Sequence, residues 1–504
     1  IDGKLIGAVA YGWSLTDHKV GMVTPIADML KLWDLTDKRN ASLTEGLNAT
    51  LPDGFGPMAT PLMVSGLGEP AMAMLTTKLK PLQLVPYTVG DAPSGVNLGP
   101  LEPGSSVGVQ LVRGDVSVGA LGTVTYTEGN KALIFGHPFL KKGNVGYFMT
   151  NSYIFTTVSG LENSFKVGTT GEAVGLINQD RGAALSGEIG RYPSIIPMLI
   201  TVEDTGLGRT QQSDVQVVQD QQLSSVLAAT TVFNSMDKTM DRVGEGTARV
   251  HFEISARGMP GEVLTRDNMF YSPASIGEES VSEFFEAMSL LTGNKYNQVD
   301  IMDVKVNVKV EEGRRSAAII EARANTATAK PGDKVDIALK LKPFRGEPIS
   351  QNVSFIVPKN QPNGPMTLEV RGGGMIPITQ LLLKRQGLDD SMLQINKNQN
   401  KPFSDILKEF SERDRNNDVI VEIMDTNVGE LGTDSPGATQ AKPVMHDKLE
   451  NEQVPKLENK HTKTEQEITA TSDKSLDKQK SRISTDYMIE GDTQVLIQVK
   501  NDKK

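Results

Sequence analysis

Residues 107–139, VGVQLVRGDVSVGALGTVTYTEGNKALIFGHPF, decide the fold of this chain. Hydrophobic residues alternate along three runs, and each run ends in turn residues, which is the pattern of consecutive antiparallel strands. The turns are residues 113–115 (Arg-Gly-Asp) and 128–130 (Glu-Gly-Asn), where glycine supplies the positive φ that hairpins need. The third run ends at Phe135 and leads into residues 136–138 (Gly-His-Pro). The pattern predicts a β-meander with a histidine at the end of its last strand.

His137 is held between Gly136 and Pro138, directly after a predicted core strand. Histidine is the side chain best suited to take and return a proton near neutral pH, so this is one candidate catalytic position. The alternative is a loop histidine whose ring is satisfied by its neighbours, and the residue taken alone favours that interpretation.

The composition excludes several classes of function. The chain has 504 residues, enough for several domains, and its 48 Gly and 26 Pro favour a turn-rich β architecture. A net charge of −10 argues against nucleic acid as a partner. The absence of Cys excludes disulfides, thiolate metal sites and cysteine nucleophiles, and the five His show no metal-ligand spacing. We therefore expect no cofactor, no metal site and no integral membrane segment in this chain, since no apolar run approaches about 20 residues.

The first 35 residues carry a turn, two strands and a helix in that order. Residues 4–11 and 20–23 read as strands, and the partner of the first strand is expected to precede Ile1. Thr24 is expected to cap a helix whose first residue is Pro25 and whose apolar face begins at Ile26.

This segment, beginning IDGKLIGAVAYGW, resembles the SpoIVB-type serine peptidases, a chymotrypsin-like family. In that family a Gly-Met-Ser-Gly-Ser-Pro nucleophile motif is followed by a segment similar to residues 1–34. The resemblance implies that the nucleophilic serine lies a few residues before Ile1. It therefore implies that the chain is truncated, with its targeting segment and its serine missing.

Residues 105–202 resemble the part of the same family that carries the catalytic Gly-His pair. By that resemblance His137 is the general base, which a serine hydroxyl needs because it is a poor nucleophile at neutral pH. Many relatives read Gly-His-Gly, whereas this chain has Pro138. Asp180 is a candidate for the acid that orients the histidine, although a turn Asp paired with Arg181 is the interpretation its neighbours favour. Ser186 lacks the setting of a nucleophile and reads as a strand or turn residue.

Two arrangements of the site stay open. In the first, the serine-bearing half precedes the half that bears His137, which reverses the order found in the sporulation peptidases. In the second, the missing segment carries its own histidine, and residues 105–202 are a duplicated, non-catalytic barrel.

The expected fold is mainly β, with a chymotrypsin-like β-barrel region followed by an immunoglobulin-like β-sandwich and few short helices. A helix is expected at 223–236, and a hairpin is expected around Gly491-Asp492. The expected segments are the end of a truncated peptidase barrel at 1–35, a linker with ordered loops at 36–104, a second β-barrel at 105–258, a helix-strand connector at 259–312, a β-sandwich at 313–425 and 484–500, and a disordered insertion at 426–483.

The resemblance implies a serine endopeptidase that acts on a protein or peptide substrate in the cell envelope or outside the cell. Residues 1–504 alone are expected to lack peptidase activity, because no other serine in them has a convincing setting. The alternative is a catalytically inactive envelope scaffold or binding protein that keeps the peptidase fold.

Overall fold

The computed structural model describes residues 2–13, 21–35, 55–57, 60–158, 165–377, 401–424 and 480–500. The chain divides into two compact units. The first comprises Ile1–Ala317, Lys397–Asn417 and Asp486–Met488, and the second comprises Ala318–Asn396, Asp418–Thr485 and Ile489–Lys504.

The chain from its first residue to Glu312 contains sixteen described strands. They are β1 (Gly7–Trp13), β2 (Gly21–Pro25), β3 (Phe55–Pro57), β4 (Leu62–Ser65), β5 (Pro86–Thr88), β6 (Ser106–Gly114), β7 (Ser117–Glu128), β8 (Lys131–Ile134), β9 (Gly143–Val158), β10 (Phe165–Arg181), β11 (Ala184–Ile189), β12 (Ile195–Asp204), β13 (Arg209–Val218), β14 (Gly246–Arg257), β15 (Val263–Ser272) and β16 (Asp300–Glu312).

The helices of the first unit are short, apart from one of 17 residues. They are α1 (Ile26–Leu30), α2 (Glu69–Leu79), α3 (Ser224–Met240), α4 (Ile276–Ser280), α5 (Ser282–Thr292) and α6 (Phe403–Glu412), with 3₁₀ turns at Lys31–Asp34 and Lys80–Leu82. The predicted helix at 223–236 is confirmed as α3.

A closed ring of six antiparallel strands forms the centre of the first unit. Its order is β6-β9-β10-β11-β8-β7, and a direct pairing of β6 with β7 closes it. The predicted meander is confirmed as β6, β7 and β8, and Gly114 and Gly129 have the positive φ that their turns require. Strands β9 and β10 are long, at 16 and 17 residues. They stay continuous because irregularities in their pairing bend them around the ring.

The ring ends at residue 189, so the boundary expected at 258 does not mark the end of a barrel. Residues beyond it form a mixed sheet in the order β15-β14-β16-β12-β13, in which β12 and β16 run parallel. Helices α3 and α5 cover this sheet, with Phe252 and Phe284 packed edge to face. The helix and strand expected in the segment 259–312 are present as α5 and β16, but the segment is not a connector, because β15 and β16 supply one edge and the middle of this sheet.

The segment expected as a linker at 36–104 also contributes to the core where it is described. Strand β4 pairs with β7, and β5 runs parallel to β4. Leu62 and Val64 on β4, and Leu75 and Leu79 on α2, are fully buried. Linker character is thus contradicted from residue 60 onward, because these apolar side chains find partners on β7 and α3 that are distant in sequence.

Two further sheets follow β16. Their strands are β17 (Ser316–Ala324), β18 (Thr328–Ala329), β19 (Lys334–Pro343), β20 (Ile349–Ile356), β21 (Gly364–Gly372), β22 (Asp418–Ile423), β23 (Lys480–Ser484), β24 (Met488–Glu490) and β25 (Asp492–Val499). One sheet has the order β20-β19-β17-β24 and the other β18-β25-β21-β22-β23. Buried residues alternate along β19, as one-sided sheets require. The described chain is therefore mainly β.

Three expectations for this C-terminal region need correction. The hairpin around Gly491-Asp492 is wrong, because β24 and β25 belong to different sheets. Helix α6 falls within the expected sandwich segment 313–425 but belongs to the first unit, where the ring of Phe403 stacks on Tyr296 at 5.5 Å. The expected insertion at 426–483 lies outside the described residues up to 479, and residues 480–483 belong to β23, which pairs with β22.

Candidate active site

His137 lies three residues beyond β8, in the loop that leaves the barrel, and its side chain is 7% exposed. Its Nδ1 is 2.9 Å from the carbonyl oxygen of Pro138. Because a carbonyl oxygen only accepts hydrogen bonds, this contact assigns the ring proton to Nδ1 in the neutral form. Nε2 is then the basic nitrogen, which is the arrangement that a general base requires.

Burial lowers the pKa of His137 below its ordinary value of 6.5, and the hydrogen bond with Pro138 opposes this effect. Burial acts in this direction because a charged imidazolium loses more hydration than a neutral ring does. The ring is therefore neutral at neutral pH, in the protonation state that can accept a proton.

Phe135 turns the chain out of the barrel with a φ of 64°, in the left-handed region that a bulky residue rarely adopts. Its main chain is held on both sides, since its N–H donates to the Thr123 carbonyl at 3.0 Å and its own carbonyl accepts from Thr125 Oγ1 at 2.7 Å. Its ring occupies the space that a side chain at Gly122 would fill. Such a conformation persists only where its surroundings enforce it, so the barrel fixes the point at which the histidine loop begins.

The β1–β2 hairpin contacts the other end of the same loop at Gly136. Thr24 on β2 donates its hydroxyl to the Gly136 carbonyl at 2.5 Å, in a buried position. A Cβ at residue 136 would lie 2.7 Å from the Ala8 Cβ and 3.1 Å from the Ala8 carbonyl oxygen, so only glycine fits here. The residue before His137 is therefore set by close packing against β1 and β2.

A small apolar cluster extends this contact. Met29, Leu32 and Leu133 are buried together with Ala183 and Ala184 of the barrel. Nearby, the Trp33 and Tyr126 rings stack at 5.8 Å. The Tyr11 hydroxyl donates to the Gly182 carbonyl at 3.1 Å. Residues 7–13 and 21–35 are thus joined to the barrel around the loop that carries His137.

Asp180 lies on β10 and is fully buried. Its Oδ1 accepts from the Phe139 N–H at 2.9 Å, and its Oδ2 accepts from the Leu140 and Lys142 N–H groups at 2.7 and 3.5 Å. Burial raises the pKa of Asp180, and these main-chain hydrogen bonds oppose the rise. The carboxylate therefore anchors the loop that follows His137.

This geometry bears on both interpretations of Asp180. The hydrogen bonds of its carboxylate go to the amides of the loop, so any effect on His137 passes through the loop and not through the ring. The turn interpretation is wrong, because Asp180 lies within a strand and pairs with Gly143 and Leu185. The Arg181 side chain donates to Gln179 Oε1 and Asn144 Oδ1. Ser186 is a buried strand residue on β11, in agreement with the sequence.

Thr24 is the site residue that the sequence did not identify. It was expected to cap a helix, but α1 begins after Pro25 without a side-chain cap, and the hydroxyl instead binds Gly136. The two residues are 112 positions apart. No local pattern signals such a contact, because it depends on how β2 lies against the barrel.

Comparison of the chain with protein-family models, with curated proteins and with solved structures found no match. Within the described ranges, no helix is long and apolar enough to span a membrane, and no group of three or more His, Asp or Glu is arranged to hold a metal ion.

Proposed function

We propose that this chain is part of a serine endopeptidase of the SpoIVB type, in which His137 is the general base. Its substrate is a protein or peptide, and its location is the cell envelope or the extracellular space. In this proposal the six-stranded ring is a chymotrypsin-like barrel, and the sheets of the second unit form an immunoglobulin-like sandwich.

The contact between the β1–β2 hairpin and Gly136 is the observation that supports this function. The sequence resemblance links the hairpin to the nucleophilic serine and links residues 136–137 to the base that activates it. The two segments lie against each other through Thr24 and Ala8. A serine that closely precedes the hairpin would therefore lie in a segment that approaches His137. This favours the arrangement with the serine-bearing half first over a duplicated barrel.

An exposed apolar face on the hairpin fits the same proposal. Val9 is 64% exposed and pairs with Val23, which is 38% exposed, so these two side chains share the exposed face. The opposite face buries Ala10 and Thr24. Strands that carry the serine would cover the exposed face, as the second half of a two-barrel peptidase does.

The proposed chemistry uses the two ring nitrogens of His137 in different ways. Nε2 takes the proton of the serine hydroxyl as its oxygen attacks the substrate carbonyl, and then returns that proton to the leaving amine. Nδ1 keeps its proton and donates it to the Pro138 carbonyl throughout. A neutral carbonyl stabilises the imidazolium less than a carboxylate does, so we expect a slower enzyme than one with a carboxylate on Nδ1.

The hydrogen-bond partner of His137 Nδ1 also supports the second candidate function, an inactive envelope scaffold. The Nδ1 partner is a main-chain carbonyl, whereas a complete triad has a carboxylate at that point. A chain that had lost catalysis would tolerate a carbonyl in place of the carboxylate.

Labelling with a fluorophosphonate distinguishes the two candidates. The experiment uses a gene product that includes the proposed serine segment, together with its His137→Ala variant, and circular dichroism checks that the variant is folded. We expect the label on the proposed serine in the parent and its loss in the variant. Label in both proteins would move the base to another histidine. No label in either would favour the scaffold.

A further inference from the structure

A polar cleft of about 740 Å³ opens in the first unit, beside the histidine loop. One wall contains Lys142, the last residue of the loop that Asp180 anchors, and continues into β9 and β10. The opposite walls come from residues 191–194, 219–222 and 292–300. The volume falls within the range of sites that bind small organic or oligomeric ligands.

Side-chain amides are the most frequent polar groups in the lining. Eight of its twenty residues are Asn or Gln. Two of them are fixed from behind: Gln219 both donates to and accepts from the main chain of Ile301, and Asn294 bonds Leu291, Tyr296 and Asn297. Each amide carries donors and an acceptor together, so such a surface suits a ligand that alternates the two, as an extended polypeptide main chain does.

Three of the four charged side chains in the lining form ion pairs within the protein, and the fourth, Asp300, accepts a hydrogen bond from Gln298 Nε2 at 3.0 Å. Lys142 Nζ is 2.5 Å from Asp220 Oδ1, and the Tyr147 hydroxyl donates to Asp220 Oδ2 at 3.1 Å. Arg191 pairs with Glu188 at 3.2 Å. A ligand chosen mainly by its charge would have to compete with these contacts, which favours a neutral ligand.

A β-bulge lies in the wall of the cleft. The pairing of β9 with β10 runs from Tyr147–Ile177 to Asn144–Gln179, so Val145 and Gly146 together face Asn178. A Cβ at Gly146 would meet only the Pro193 Cβ, at 3.9 Å. The missing side chain at this position keeps the cleft open to a second main chain.

We propose that this cleft binds an extended polypeptide segment with neutral polar side chains, as the substrate groove that leads to His137. Lys142 connects the cleft with His137, because it lines the cleft and belongs to the loop that begins at the histidine. The choice of a polypeptide over another neutral polar ligand rests on the proposed peptidase function. Tyr192, 59% exposed at the rim, gives the segment an aromatic surface at the entrance.

A steric block tests this assignment in the chain of residues 1–504. The probe is a fluorescein-labelled random nonapeptide library of Ala, Gln, Ser, Thr and Val, and the measurement is fluorescence anisotropy. Gly146→Leu fills the cleft without backbone strain, since Gly146 does not have a positive φ. We expect saturable binding to the parent and a loss of about tenfold or more in affinity in this variant. The control is Gly90→Leu, where a side chain meets open space and where we expect unchanged binding.

Two results would overturn the proposal. One is the absence of saturable peptide binding, or binding that Gly146→Leu leaves unchanged. The other is binding of a labelled neutral oligosaccharide, such as maltohexaose, that Gly146→Leu abolishes while the peptides do not bind. Failure here is distinguishable from failure of the proposed function. Gly146-dependent peptide binding without fluorophosphonate labelling would support the cleft assignment and contradict the peptidase function. Labelling without Gly146-dependent binding would support the peptidase function and contradict the cleft assignment.

Discussion

The two flanks of His137 are held in different ways. On the N-terminal side, Gly136 is fixed by neutral groups from a distant segment, through the Ala8 side chain and the Thr24 hydroxyl. On the C-terminal side, residues 139–142 are fixed by the buried carboxylate of Asp180, which belongs to the barrel itself. One flank therefore depends on the docking of a hairpin, and the other depends on a buried charge.

The difference indicates how the histidine can be displaced. Loss of the hairpin contacts would free Gly136 but leave the loop beyond Pro138 attached to the barrel. Loss of the Asp180 charge would free that loop but leave Gly136 packed. Local hydrogen exchange, followed by peptide mass, resolves the two flanks separately, because it reports opening segment by segment. It is also preferable to a single global unfolding curve in a chain with two compact units.

Asp180→Ala is expected to have the largest effect, on the C-terminal flank. It leaves the half-buried amides of Phe139 and Leu140 without their charged acceptor, at a cost of about 3 kcal/mol, or roughly a hundredfold faster exchange in residues 138–143. Exchange in β1 should change little. Asp180→Asn keeps the shape of the side chain and one acceptor oxygen. Its exchange rate in residues 138–143 should therefore fall between those of the parent and of Asp180→Ala. Equal loss of protection in β1 and in the loop would show that the flanks are not independent.

Gly136→Ala should disturb the opposite flank. The added Cβ would lie 2.7 Å from the Ala8 Cβ, and overpacking of this kind costs about 1–3 kcal/mol. We expect faster exchange in residues 7–11 and 22–25, with the loop after Pro138 still protected. The double variant with Ala8→Gly removes one partner of the clash and should recover part of the loss. No recovery would assign the effect to the main chain and not to the Ala8 side chain.

Thr24→Val tests the single hydrogen bond of the same flank. Valine keeps the shape of threonine but removes the donor to the buried Gly136 carbonyl, which costs about 1 kcal/mol. Thr24→Ser keeps the hydroxyl and serves as the control. We expect the Val variant, and not the Ser variant, to speed exchange in β2 by about fivefold. Faster exchange in the Ser variant but not in the Val variant would mean that the methyl group, and not the hydroxyl, matters here.

The two flanks also differ in how far the sequence predicts them. Strands β6–β8 follow from the sequence because their pairings are local and Gly114 and Gly129 mark their turns. The sequence identifies His137 for the same reason, because it follows a strand that the local pattern predicts. Thr24 is not, because its partner lies 112 residues away. Strand β15 is missed likewise, since its strand conformation depends on pairing with β14 in the folded chain.

The smallest expected effect is that of pH on His137 itself, between the two flanks. Its pKa in the folded protein is below 6.5, so between 6.5 and that lower value the unfolded chain binds more protons than the folded one. The free energy of unfolding of this region therefore falls as pH falls through that window, and rises with pH up to about 6.5.

The His137 Hε1 resonance should titrate with a midpoint below 6.5. Comparison with His137→Gln isolates this contribution from other titrating groups, and the variant should lose less protection between pH 7 and pH 5. A midpoint at or above 6.5 would contradict the burial of the ring, and would mean that the flanks hold the loop more loosely than their contacts indicate.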